Sequence, residues 1–236
     1  MTEPNTGNIT KVFVWDLPTR LFHWSLLSLV VTSVLTGLGW SELEDESDIH
    51  TWSGIGVITL VIFRLGWGIF GGRHARFTDF IKGPLSVLRY LKGLVTGKHE
   101  QWLGHNPMGG VSVIAMIVLL GLQASLGLFA NDDSSVEGPL FELISKDTSD
   151  FITWLHYLNS IALYVVIGTH VLAIISYRLM GEHLVAAMVH GYKKVIKGSV
   201  VATSDAKGNN IIAIVILAMS AGLVIWILNL FGNLDF

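Results

Sequence analysis

The chain has 236 residues, 51% of them hydrophobic and 14% charged, with a net charge of −3 and a mean hydropathy of +0.59. A soluble domain carries about a quarter charged residues, so this composition argues against a soluble enzyme and for a membrane protein. The absence of cysteine excludes a disulfide framework, an iron–sulfur cluster, a covalently attached c-type haem and a thiolate nucleophile, and leaves the nine histidines to ligate any metal or metal cofactor.

The first twenty residues are polar and carry no cleavage pattern, so the apolar stretch that follows reads as a retained helix and not a signal peptide. Five stretches reach the length of about 20 apolar residues that a bilayer crossing needs: Leu21–Trp40, His50–Phe70, Met108–Ala130, Phe151–Tyr177 and Ile211–Phe231. Too little polar chain remains to cover five such helices in a soluble core. The expected fold class is therefore all-α, an integral membrane bundle of five transmembrane helices. Between the second and third spans, Pro84–Thr96 places Leu85, Leu88, Leu91 and Val95 at helical spacing opposite Arg89 and Lys92. That pattern predicts an amphipathic helix on the membrane surface, and Glu182–Lys197 is expected to form a second.

The loops predict the orientation. Glu42, Glu44, Asp45, Glu46 and Asp48 follow the first span, and Asp132, Asp133, Glu137, Glu142, Asp147 and Asp150 precede the fourth, with Lys146 the one base among them. The segment Gly71–Pro107 instead carries Arg73, Arg76, Lys82, Arg89, Lys92 and Lys98, and the segment after the fourth span carries Arg178, Lys193, Lys194, Lys197 and Lys207. Lys and Arg collect on the cytoplasmic side. The N-terminus is expected in the cytoplasm and the C-terminus outside, in the periplasm of a bacterial inner membrane.

Four histidines fall in or at the edges of spans: His23, His50, His156 and His170. Ionisable residues at membrane depth are costly and point to function. Fourteen residues separate His156 from His170, which puts them within about 40° of one face and about 21 Å apart along a helix axis. Depth then pairs His23 with His170 and His50 with His156. Two bis-histidine sites at two depths are the arrangement needed for two b-type haems. The same spacing from His23 leads to Gly37, where a flat macrocycle can approach the backbone, and from His50 to Arg64. Arg64 is the one charge deep in a span; it meets a haem propionate or snorkels to the inner surface. A single zinc site is excluded by the separation of the rings, and a proton relay lacks companion carboxylates. Phe22, Trp24, Trp52, Phe63, Trp67, Trp154 and Tyr157 are flanking aromatics that serve as core or interfacial belt. His74, His99, His183 and His190 are expected to be solvated or interfacial.

Taken together, VWDLPTRLFHW (14–24), HTWSG (50–54), FRLGWGIFG (63–71), RFTDF (76–80), GHNPMGG (104–110) and the His156/His170 pair resemble the bacterial cytochrome b561 and Ni/Fe-hydrogenase b-type cytochrome subunit family over residues 12–195. The resemblance implies two non-covalent b haems in a four-helix core, with ligand positions on His23, His50, His156 and His170. It also implies a quinone beside the cytoplasmic-side haem, bound by residues just before the third helix. Those map onto His105, Asn106, Met108, Gly109 and Gly110. Asn106 before Pro107 also reads as a helix cap with proline in the first position, which leaves His105 as the residue a cap does not explain. The compact members have four spans. Residues 1–208 are thus expected to form the di-haem core, and 209–236 an added helix without histidine or charge.

The expected function is electron transfer between a quinone and a periplasmic redox partner, a c-type cytochrome or an oxidoreductase subunit, by an electron-transfer subunit and not a self-sufficient enzyme. No nucleic-acid partner is expected. The alternatives are a stand-alone superoxide:quinone oxidoreductase, for which Lys146 would be the one outer cation, and a membrane anchor without haem.

Overall fold

The computed structural model describes residues 9–39, 46–97, 102–133, 136–196 and 207–232. In chain order they form β1 (Ile9–Phe13), α1 (Leu17–Gly37), α2 (Glu46–Phe70), α3 (Phe77–Phe80), α4 (Pro84–Val95), α5 (Pro107–Gly127), α6 (Lys146–Leu179), α7 (Leu184–His190), β2 (Tyr192–Ile196) and α8 (Asn210–Phe231). Among the described residues, α1, α2, α5, α6 and α8 are the helices long and apolar enough to cross a membrane. The protein is a mainly helical, multi-pass membrane protein, as its five apolar stretches require.

Polar caps, invisible to hydropathy, move the helix starts. Leu17 opens α1, four residues before the apolar stretch, because the Asp16 carboxylate accepts the Thr19 amide at 2.9 Å. Its other oxygen accepts the Gly72 amide at 3.1 Å, tying α1 to the loop after α2. Within the acidic loop, the Ser145 hydroxyl accepts the Thr148 amide at 3.3 Å, so α6 begins at Lys146. Trp40, the expected end of the first span, lies outside the described residues.

The expected second amphipathic helix over Glu182–Lys197 is corrected. Only Leu184–His190 is helical, and Gly191 ends it in the left-handed region at φ 87°. Its carbonyl accepts the amides of Val14 at 2.8 Å and Trp15 at 3.2 Å. A Cβ at Gly191 would lie 2.8 Å from the Trp15 carbonyl oxygen, so only glycine holds this turn. The chain then runs on as β2, antiparallel to β1 in the register Ile9↔Ile196 to Phe13↔Tyr192. The pairing is non-local, and no window of sequence contains both strands.

Packing divides the chain into two units: Met1–Leu21, Trp67–Ile114 and His170–Ala213 form the first, and Phe22–Gly66, Ala115–Thr169 and Ile214–Phe236 the second. In the first, Val14, Trp15 and Ala187 make a core with Leu103 and Met188. Trp67 is fully buried there and donates its indole N–H to Thr19 Oγ1 at 3.1 Å. In the second, Ile55, Leu140, Val224 and Leu228 make the core. Here Gly56 closes on Leu29 and Gly66 on Ile216; a Cβ would approach those side chains to 2.9 Å and 2.7 Å. Small residues let apolar helices meet closely where lipid gives no hydrophobic drive to associate. Trp24, Trp52, Trp154 and Tyr157 are exposed, as side chains facing lipid are. Phe63 is buried against Phe22, ring centroids 6.1 Å apart.

Candidate cofactor site

His50, one turn into α2, and His156, about a third of the way along α6, come together in the second unit. Their ring centroids lie 6.4 Å apart, with planes at 73°. Two metal–nitrogen bonds of about 2.0 Å, each with a ring centre about 1.1 Å behind the nitrogen, place two imidazole centroids about 6.3 Å apart across one ion. The pair thus has the separation of two rings sharing a metal between them.

The hydrogen bonds determine which nitrogen each ring offers. Thr36, buried on α1, has a single hydroxyl proton and donates it to the Thr32 carbonyl at 2.8 Å. Its oxygen lies 3.1 Å from His50 Nδ1. With that proton used, Thr36 accepts and His50 Nδ1–H donates. His156 Nδ1 lies 3.0 Å from the backbone carbonyl of Gln123, which only accepts, so this Nδ1 also carries the proton. Both rings therefore present Nε2 as the bare nitrogen. A second layer that holds Nδ1 and leaves Nε2 to a metal is the usual setting of a histidine ligand.

His156 Nε2 accepts from the Gln123 side-chain amide at 2.9 Å. That amide is oriented by Asn159, which donates to Gln123 Oε1 at 2.7 Å and to the Leu119 carbonyl at 3.0 Å. A metal on Nε2 takes the place of the Gln123 hydrogen bond. Glycine flanks each ring: a Cβ at Gly37 would lie 2.9 Å from His50 Cε1, and one at Gly127 would lie 3.1 Å from His156 Cε1. The donors, their tautomers and these two glycine-lined faces fit a planar macrocycle with two axial imidazoles, the ligation of a b-type haem. Thr36, Gln123, Asn159 and Gly127 carry no sequence signal of their own, because each acts through a neighbour on another helix.

Arg64, on α2 in the same unit, is 3% exposed, so its guanidinium does not reach the surface of the protein. His23 and His170 are half-buried, on α1 in the second unit and on α6 in the first. The His23 ring stands edge-on to Trp24, centroids 5.2 Å apart. His170 follows His156 on one unbroken helix.

The residues before α5 lie in the first unit. His105 packs between Trp15 and Phe80, each ring centroid 4.8 Å away. Asn106 caps α5: its Oδ1 accepts the Gly109 amide at 2.7 Å, and its Nδ2 donates to the Tyr177 hydroxyl at 2.7 Å. Tyr177 in turn bonds Tyr90 of α4. Burial, then the Tyr177 hydrogen bond and nearby charge including Glu182, raise the Tyr90 phenol above its ordinary value and keep it protonated. Gly110 lies against Phe80, whose carbonyl oxygen would be 2.5 Å from a Cβ, and Met108 is exposed. His74 corrects an expectation. It is buried rather than solvated, with Nδ1 3.0 Å from the Asp79 carboxylate five residues on. The turn at Arg73–Ala75 and the single-turn α3 fold that carboxylate back onto the ring. His183 and His190 are exposed, and His99 lies outside the described residues.

Residues 14–191 match the family model of prokaryotic cytochrome b561. The chain is 24% identical over 218 residues to a "Probable Ni/Fe-hydrogenase B-type cytochrome subunit" of Cupriavidus necator, covering 79% of this chain and 88% of that protein. Proteins of the same name are similar in Rhodobacter capsulatus (24% over 216 residues, 78% of this chain and 82% of that one) and in Azotobacter vinelandii (25% over 217 residues, 78% and 89%). No solved structure matches. With three quarters of its length in the family model and a paired-imidazole site on its helices, the chain belongs to the prokaryotic cytochrome b561 family and is a membrane b-type cytochrome, an electron-transfer protein that holds haem b.

Proposed function

We propose that this cytochrome carries electrons across a bacterial inner membrane between a quinone on the cytoplasmic side and a redox partner in the periplasm, through two b haems. His50 and His156 would hold one haem, and His23 and His170 the other. Residues 1–208 would form the di-haem core, with 209–236 an added helix that supplies no ligand. The observation that carries this reading is the His50/His156 pair, ring centroids 6.4 Å apart with an oxygen against each Nδ1. Bound haem b supplies a reversible one-electron iron couple.

The chain's own residues do the rest. Thr36 and the Gln123 carbonyl hold the imidazoles in the ligating tautomer, and Gly37 leaves room beside the ring. Arg64, buried and cationic, supplies the charge that a haem propionate balances. His105 or Asn106 would contact the quinone; Asn106 also caps α5 and donates to Tyr177. The N-terminus and basic loops would face the cytoplasm. The acidic loops and the C-terminus would face the periplasm and a c-type cytochrome or oxidoreductase subunit; the relatives are named as subunits of a Ni/Fe-hydrogenase. A stand-alone superoxide oxidoreductase is less well supported, because Lys146 is held between Asp133 and Asp150 and its charge is already balanced.

Haem content per chain in the purified protein tests the proposal, read with the reduced-minus-oxidised absorbance spectrum. Two b haems per chain, both reducible by a quinol, are expected. A single haem, or two that no quinol reduces, would overturn it.

A further inference from the structure

α4 has two faces. At about 100° per residue, Leu85, Leu88 and Val95 fall on one side, and they are 74%, 62% and 88% exposed. The adjoining arc, which starts at Lys92, borders a cavity of about 380 Å³ lined by Ser86, Arg89, Tyr90, Lys92, Thr96 and Trp102. Arg89 and Lys92 make no ion pair among the described residues. Glu182, the acid nearest Tyr90, is paired with Lys193 at 2.8 Å. The cavity wall is also stiff. The hydrogen bonds linking Tyr90, Tyr177 and Asn106 fix α4 to α6 and to the start of α5, so Arg89 and Lys92 are carried on a fixed helix.

We infer that this cavity binds the phosphate headgroup of an anionic membrane phospholipid, with its acyl chains lying along the apolar face of α4. Two cations with no ion-pair partner among the described residues, and the Ser86 hydroxyl, match a phosphodiester. A zwitterionic headgroup brings its own cation and gains less from them. The exposed leucines decide between a lipid and a free phosphate. Lys92 emerges between Leu85 and Leu88 around the helix, so a molecule seated there meets a cation and an apolar surface together. Amphipathic surface helices gain affinity from these two terms combined, and each cation near an anionic surface contributes about a fivefold factor. The inference rests on the membrane placement of the chain and not on the haem or quinone assignments.

Native mass spectrometry of the full-length protein in a neutral maltoside detergent, titrated with dioctanoyl phosphatidylglycerol, provides the test. Wild type should retain the anionic lipid in preference to phosphatidylcholine of the same chain length. Arg89→Gln with Lys92→Gln should weaken retention about 30-fold. The charge-preserving Arg89→Lys with Lys92→Arg should keep it, as should Lys194→Gln on β2. Equal retention of the two lipids by wild type, or undiminished retention by the glutamine variant, would overturn the inference. So would displacement of the lipid by millimolar inorganic phosphate, which would make the site one for free phosphate. Haem content, measured on the same samples, is expected to be unchanged, which separates this test from that of the electron-transfer reading.

Discussion

The second unit and the first both place histidines in contact with polar groups, but to opposite effect. Around His50 and His156, Thr36 and the Gln123 carbonyl take up Nδ1, and the two ring centroids lie 6.4 Å apart. Around His74, a carboxylate takes Nδ1 and the ring is buried against Gly104, whose Cβ would lie 3.0 Å from it. The first arrangement brings two imidazoles together, with the Gln123 amide on His156 Nε2. The second satisfies the ring with a local hydrogen bond to Asp79 that fastens the loop after α2. His74 is buried, whereas His50 and His156 are half-buried and face each other.

That contrast can be broken by mutation. The largest effect is expected from His156→Ala, which should lower haem from two per chain to one, with His170→Ala removing the other. Loss of both haems in each variant, read by haem quantification, would break the assignment of ligands to two sites. Next is Thr36→Val, which removes the acceptor at His50 Nδ1. Second-layer partners of metal-bound histidines are worth about 10–100-fold in affinity, so haem dissociation should accelerate by that order while Thr36→Ser stays near wild type. His74→Ala should act on stability instead. It leaves the Asp79 carboxylate without its ring partner, at a cost of about 1–3 kcal/mol, seen as a lower thermal midpoint with haem content unchanged. Haem loss in this variant would erase the distinction between the two regions. Asn106→Ala removes the α5 cap at about 1 kcal/mol and leaves the Tyr177 hydroxyl with Tyr90 alone, again without haem loss. Lys146→Ala is expected to leave the thermal midpoint unmoved, because its partners are exposed surface carboxylates.

Much of the helical frame was legible in the residues. α1, α2, α5, α6 and α8 follow the five apolar stretches, and α4 follows the Leu85/Leu88/Val95 spacing, because hydrophobicity and helical period are properties of a local window. The helix starts at Leu17 and Lys146 were not, since Asp16 and Ser145 act through hydrogen bonds that polarity scales count as loop. The strand pair was also hidden: Ile9–Phe13 and Tyr192–Ile196 are far apart in sequence, and neither is a strand without the other.

The site divides in the same way. The four membrane histidines and the spacing of His156 from His170 are sequence facts, and they suffice to expect paired rings. The tertiary structure decided which nitrogen each of His50 and His156 presents, because that depends on a hydroxyl from α1 and a carbonyl from α5. It moved His74 from the surface to the interior, because Asp79 folds back on it. It also joined Asn106 to Tyr177 of α6, a contact that no local window contains. Composition and periodicity determined that this chain crosses a membrane without cysteine, so that histidine would carry most of any metal ligation. Where the protons sit was left to contacts between helices, because a hydrogen bond depends on a partner that the local sequence does not contain.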